Sequence, residues 1–149
     1  FIENKLGENF QPQTPEAKTL ADHWIISELA TAKSTIERTL ETYRFAEAGE
    51  AVYHAIWDSV ADWYIEASKD QDNPDLLAWV LSTSLKLAHP FAPFVTETIW
   101  QTLPWNDSLL ISESWPEMIP YDDIAAAEFS RVQALVTETR FVTNPSIIY

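Results

Sequence analysis

The chain has no cysteine and only two glycines among its 149 residues. Without cysteine there is no disulfide framework and no thiolate chemistry, which fits a cytoplasmic location. Two glycines exclude the Gly-rich loops that cradle phosphates and argue against a fold full of tight turns. No apolar run approaches the ~20 residues needed to cross a bilayer, and no signal-peptide pattern opens the chain. Basic residues are also scarce. Nine Lys and Arg face 23 Asp and Glu, for a net charge of −14. That balance works against a polyanion partner, because nucleic-acid affinity rests largely on Lys and Arg contacts with phosphate. The bases are unevenly placed, however. Lys5, Lys18, Lys33, Arg38 and Arg44 all lie in the first 44 residues. The first helix and its end are therefore the least hostile place for a polyanion. The chain opens on Phe1 without a methionine and is read as a piece of something longer.

What is present is apolar and aromatic. Hydrophobic residues make up 46% and aromatics 13%, with seven Trp, enough to bury the core of one domain. The apolar spacing is helical throughout. Residues 1–13 read as a loosely held, flexible arm. Thr14-Pro15-Glu16 carries a hydroxyl, a proline and an acid, a helix-start signal. Ile25, Leu29, Ala32, Ile36, Leu40 and Tyr43 then recur at steps of three and four, the period of one helical face. Leu20 and Trp24 fall off that stripe and should pack against something else. A second helix runs from about Phe45 to Ala67, with Phe45, Ala48, Val52, Ile56, Val60, Trp63 and Ala67 inward. Tyr53, Trp57 and Tyr64 widen its apolar face, as in the middle of a bundle. Gly49 lies on the packing face, where it would permit close helix contact.

Asn73-Pro74-Asp75 starts a third helix that buries Leu77, Val80, Leu81, Ser84, Leu87 and Ala88. Pro90 and Pro93 then force a corner, since each lacks a donor and biases the residue before it away from helical geometry. Phe91 and Phe94 flank the break and should wedge the two helices together. A fourth helix, Pro93 to about Leu103, presents Phe94, Ile99, Trp100 and Leu103. Residues 104–121 are cut by Pro104, Pro116 and Pro120. Leu109–Ser112 reads as an extended apolar patch and Trp115-Pro116 as a plug over the bundle. A last helix runs from Asp122 or Asp123 to Thr139, with Ile124, Phe129, Val132, Leu135 and Val136 inward. Residues 143–149 read as a frayed tail. The sum is an all-α helical bundle of four to five helices over residues 14–142.

Little in the chain reads as catalysis. There is no GxxxxGK[ST], GxGxxG, HExxH or GxSxG. His54 and Asp58, four apart on one helix, lack a third ligand in register and read as a solvated pair. Asp58, Asp62 and Glu66 form a row of acids with no cleft to separate their pKa values, so they read as a solvated face. His89 suits the C-terminus of the third helix. The tryptophans are most simply core, with Trp24, off the stripe, as the one candidate to stack on a base. Tyr43-Arg44-Phe45 joins the two long helices and sets a guanidinium between two rings. It reads either as a helix corner with Arg44 on carbonyls or as a presented edge that could bond and stack on a splayed base.

The blocks ADHWIISEL (21–29), ETYRFAEAGEAVYHAIWDSVADWYIEASK (41–69), LKLAHPFAPFVTETIWQTLP (85–104) and SESWP (112–116) resemble the anticodon-binding helical domain of the class I aminoacyl-tRNA synthetases for Val, Ile, Leu and Met. The YRFAEA and DWYIE runs lean toward the valyl-tRNA synthetases, with isoleucine the nearest rival. The resemblance implies a right-handed helical bundle that grips the anticodon stem and loop of tRNA-Val. It also implies a catalytic domain elsewhere in the same parent chain, which joins valine to tRNA using ATP and Mg. The HIGH and KMSKS signatures are absent from these residues, so the fragment itself is expected to carry no catalytic site, no metal and no cofactor. By analogy the RNA-facing residues would be Lys33, Arg44 and Phe45, with Arg38 and Trp24 further candidates. The acidic second half predicts weak, salt-sensitive binding. A helical protein-interaction domain that offers an acidic surface to a basic partner remains the rival reading.

Overall fold

The computed structural model describes residues 5–143, and its first long helix begins on a reciprocal cap. Thr19 is extended at φ −128° and its hydroxyl accepts from the Asp22 amide at 3.2 Å. The Asp22 carboxylate accepts in return from the Thr19 amide at 3.2 Å. Two orphan donors of the first turn are thereby satisfied, and α1 spans Leu20–Glu41. The proline signal at Thr14-Pro15-Glu16 predicts an earlier start. Residues 14–18 are not helical, because the chain is held there from the far side of the sequence: Asn73 Nδ2 donates to the Glu16 carbonyl at 2.9 Å. Residues 5–13, expected to be a loose arm, are also tied down. Lys5 Nζ donates to the carbonyls of Ser68 and Gln71, Leu6 is buried, and Phe10 meets Trp105 edge-on at 5.7 Å. Residues 1–4 of that arm lie outside the described residues.

The end of α1 is a turn through a left-handed residue. Tyr43 has φ +59°, a region that costs a non-glycine residue about 1 kcal/mol or more. The Arg44 amide closes the turn on the Thr39 carbonyl at 2.7 Å, the pattern that ends many helices. The backbone then re-enters a helix at once. This second helix, α2, is continuous in three parts: α-helical Phe45–Tyr53, π-wound His54–Tyr64 and α-helical Ile65–Ala67. The π winding decides which aromatics are inside. At uniform α pitch Tyr53, Trp57 and Tyr64 share one face, as the spacing predicts. Wider π turns advance less per residue, so Tyr64 rotates back into the core, while Tyr53 and Trp57 stay exposed and stack on each other at 6.3 Å.

Helix α3, Pro74–Ala88, packs against α1, α2 and the helix that follows it. Leu76, Leu77, Ala78, Val80, Leu85 and Leu87 are all buried. The proline corner then turns the chain into α4, Pro93–Thr102. His89 Nδ1 meets Thr96 Oγ1 at 2.9 Å and ties the two helices, so the imidazole bonds across the corner instead of capping carbonyls. Of the two corner phenylalanines Phe91 is the less exposed, its ring beside Gly49 of α2. Phe94, expected to lock the corner, is 89% exposed, because it sits on the first turn of α4 facing away from both helices. A small second core gathers Leu85, Trp100, Leu103 and Leu110.

A strap, residues 104–122, crosses from α4 back to α1. It holds a short 3₁₀ turn at Leu110–Ser112, where an extended patch was expected, and only Leu110 of that turn is buried. Trp115 Nε1 donates to Glu37 Oε1 of α1 at 2.8 Å, and the Asp122 amide donates to His23 Nδ1 at 3.0 Å. Pro116 is buried, so the expected plug is the proline with its neighbour Trp115 hydrogen-bonded at the rim. Asp122 then caps α5, Asp123–Thr143, by accepting from the Ile124 amide at 2.8 Å. This helix lies along α1, with Phe129 on Trp24 at 5.1 Å and Arg140 over Trp63 at 5.9 Å. Ile124, Val132 and Leu135, expected inward, are exposed; the inward line is Ala126, Phe129 and Val136, set by the bulk of Trp24. Of the tail expected to fray, Thr143 is still helical and residues 144–149 lie outside the described residues. Among the described residues these five long helices form an all-α bundle.

A buried carboxylate holds three of these helices in register. Asp22 of α1 is fully buried. It accepts from Tyr64 OH of α2 at 3.0 Å, from Asn73 Nδ2 at the start of α3 at 2.9 Å and from the Lys18 amide at 3.0 Å, besides Thr19. Burial, then the Asp22 charge and hydrogen bond, push the Tyr64 phenol well above its ordinary value.

Candidate nucleic-acid interface

The two corners share one end of the bundle. The Phe91 ring at the α3–α4 corner lies 3.8 Å from the place a Cβ would take on Gly49, one turn into α2, so the α1–α2 corner and the proline corner are neighbours. The left-handed Tyr43 throws its ring outward, 80% exposed, and Phe45 beside it is 59% exposed. Their centroids are 6.2 Å apart at 76°. Phe94 projects from the other corner. Tyr43, expected on the core stripe, is thus a surface residue, and Phe45 likewise leaves the predicted core face of α2. Exposed aromatic faces at the rigid end of a bundle suit stacking on unpaired bases, which is worth about 1–3 kcal/mol per base.

The candidate cations differ in what they are free to do. Arg44 clasps Glu47 of the same turn, with Nε 2.6 Å from Oε1 and Nη2 on Oε2. That fork does not cap the α1 carbonyls. Lys33 pairs with Glu37 at 2.8 Å. The Lys33 hydrogen bond holds the Glu37 carboxyl below the usual range; slight burial opposes it, and the Trp115 bond and the Lys33 charge add to it. Both cations are therefore half-neutralised before any partner arrives. Arg38 stands on the outer face of α1 and forms no ion pair among the described residues. Trp24, a candidate for stacking on a base, is instead a core residue. It is 5% exposed and covered by Phe129, so no ring face is left for a base; it sits off the α1 stripe because a second helix covers that side.

The remaining sequence candidates are surface groups. His54 Nδ1 and Asp58 Oδ2 meet at 2.6 Å on the exposed side of α2. Asp58, Asp62 and Glu66 are all exposed. Among the described residues no three His, Asp or Glu side chains converge as metal ligands, and no helix is long and apolar enough to cross a membrane.

Residues 22–146 match the model of the anticodon-binding domain of tRNA ligases. The chain belongs to that family. Among curated relatives, the valine–tRNA ligase of Mycobacterium leprae is 42% identical over 132 residues, covering 83% of this chain and 15% of that protein. The valine–tRNA ligase of Geobacillus stearothermophilus is 38% identical over 138 residues, 85% of this chain and 16% of that protein. The valine–tRNA ligase of Streptomyces coelicolor is 36% identical over 146 residues, 90% of this chain and 17% of that protein. The chain therefore spans about a sixth of the length of the relatives it matches.

Within this anticodon-binding domain, two features escaped the sequence. Phe94 looks like core by helical phase, and only its place on the first turn after a proline corner exposes it. The Asp22 hub was signalled in principle by Thr19-x-x-Asp22, a capping-box spacing, but its partners Tyr64 and Asn73 lie 42 and 51 residues away.

Proposed function

We propose that this domain binds the anticodon stem and loop of tRNA-Val within a valine–tRNA ligase. The observation that carries the reading is the shared end of the two corners, where Tyr43, Phe45 and Phe94 stand exposed on a rigid bundle. Backbone rigidity there comes from the left-handed turn at Tyr43 and the proline corner, so the rings are pre-positioned and little ordering entropy is lost on stacking. Arg44 is held beside the rings by Glu47, oriented to offer its remaining N–H donors to a base edge. The valine lean of the YRFAEA and DWYIE runs and the valine–tRNA ligase relatives support tRNA-Val over tRNA-Ile. In this reading a cytoplasmic parent chain carries the catalytic domain that joins valine to tRNA. ATP and Mg belong to that domain in this reading.

The test is a titration of the chain, at low salt, with a tRNA-Val transcript and with the same transcript changed in its anticodon. Tighter binding of the unchanged transcript is expected. Phe45→Ala should weaken that binding by roughly 5- to 100-fold, the range of one lost stack, and leave the unfolding midpoint in place. Equal or absent binding of both transcripts sinks the reading for this domain.

A further inference from the structure

One groove on this acidic molecule is lined without a single carboxylate. It lies between the outer face of α1 and the strap, with a volume of about 370 Å³. Thr31, Ser34, Thr35 and Arg38 line it from α1, and Tyr121 forms the opposite wall. Thr31, Ser34 and Arg38 are spaced three and four apart, so they follow one another along a single helix face. The wall is fixed. The strap is fastened to α1 on both sides of Tyr121, by Trp115 on Glu37 at 2.8 Å and by the Asp122 amide on His23 at 3.0 Å.

The polar groups of this groove are unspent. Among the described residues, the hydroxyls of Thr31, Ser34, Thr35 and Tyr121 make no hydrogen bond to the protein, and the Arg38 guanidinium makes neither an ion pair nor a hydrogen bond. Lys33, Arg44, Lys69 and Lys86, by contrast, are each paired with a glutamate. Glu37 points its carboxylate at Lys33 and Trp115 and does not line the groove; Glu41, one turn past Arg38, does not line it either. The groove thus offers one forked cation and four neutral hydroxyls that both donate and accept.

We propose that this groove is a ribose-phosphate site that holds the sugar-phosphate backbone of an RNA strand and contacts no base. A guanidinium matches a phosphodiester in charge and in fork geometry. The hydroxyls serve the second phosphate oxygen and the ribose 2′-OH, which is what distinguishes RNA from DNA at a backbone site. A doubly charged monoester would meet only one cation, so a diester is the better fit. The site rests on the anticodon-binding reading for which RNA arrives, and it deepens that reading: the corners read bases, and the groove sets the position of the strand.

The direct probe is a short single-stranded ribose-phosphate oligomer lacking bases, added to the isotopically labelled chain at low salt. Amide resonances of Thr31, Ser34, Thr35 and Arg38 should shift, the deoxyribose oligomer should bind more weakly, and Arg38→Gln should weaken binding about tenfold, the scale of one charge-assisted contact. With intact transcripts, Arg38→Gln should weaken tRNA-Val and the anticodon-changed form alike and reduce the salt slope by about one. Absence of shifts in the groove, shifts confined to the two corners, or an unchanged affinity in Arg38→Gln would overturn the site. The two readings fail separately. Arg38-dependent but equal binding of both transcripts keeps the groove and removes anticodon reading. Anticodon discrimination that survives Arg38→Gln at full affinity does the reverse.

Discussion

Replacing Asp22 by alanine should cost this domain about 3–5 kcal/mol, and the figure follows from what the carboxylate receives. Four donors converge on it, from Lys18, Thr19, Tyr64 and Asn73. The Lys18 and Thr19 amides lie near the surface and can turn to water. Tyr64 OH is sealed in the core, and an unmade bond there costs about 1–3 kcal/mol. Asn73 Nδ2 keeps the Glu16 carbonyl at 2.9 Å, so its loss falls at the low end of that range. The half of the cap made by Thr19 survives, because it uses the backbone of residue 22. Loss of the other half adds roughly 0.5–1 kcal/mol, and the void between three helices adds about 1 more. Relief of the burial penalty of the carboxylate itself works in the opposite direction, which keeps the total below the simple sum. Urea unfolding followed by tryptophan fluorescence reads the change, with the slope checked for constancy. A drop of roughly 10 °C in Tm should accompany it. Asp22→Asn keeps the shape but turns an amide N–H₂ toward donors, so it should recover little. In a double-mutant cycle with Tyr64→Phe, the two losses should couple by about 1 kcal/mol or more. A loss under about 1 kcal/mol for Asp22→Ala at constant slope, with no coupling to Tyr64, would refute the reasoning.

Gly49→Ala should stabilise the chain by up to about 1 kcal/mol in urea midpoints, because a Cβ there would meet only Phe91 at 3.8 Å, an ordinary contact, while helix propensity improves. Trp24→Ala should lower stability by about 3–5 kcal/mol, whereas Phe94→Ala should change it by under about 0.5 kcal/mol; thermal melts of the two variants separate core ring from presented ring. Tyr64 sets an alkaline limit. Its folded pKa is raised, so the folded state keeps its proton and the stability it brings is complete below the ordinary phenol value of about 10 and is lost as pH rises above it. Urea midpoints should fall from about pH 10 upward, and Tyr64→Phe should flatten that fall.

The helix count and the corners were legible because they rest on local rules. Pro74 and Pro93 sit on first helical turns, as the missing donor dictates, and the stripe Ile25, Leu29, Ala32, Ile36 is buried throughout. What was not legible depended on partners or winding. The start of α1 moved to Leu20 because Thr19 and Asp22 satisfy each other, which outweighs a proline preference. Tyr64 turned into the core, off the exposed face of Tyr53 and Trp57, because π turns broke the phase that spacing assumes. In the candidate interface, Phe45 and Arg44 were visible as a ring and a cation at a corner. The ion pairs that occupy Lys33 and Arg44, and the freedom of Arg38, belong to side-chain geometry that spacing does not encode.

The strap and α5 return to a helix made long before them. Asp122 meets His23 across 99 residues of chain, and Phe129 covers Trp24 just beyond it. During synthesis at roughly 5–20 residues per second, that separation is about 5–20 s. Throughout that interval α1 has its α2 and α3 partners arriving in turn, while the Trp24 side waits bare for a helix not yet translated. A chain stopped before Asp123 would carry that waiting face permanently. The last helix of this domain is therefore its completion signal, and a nascent or truncated chain is recognisable by an indole that the finished one hides.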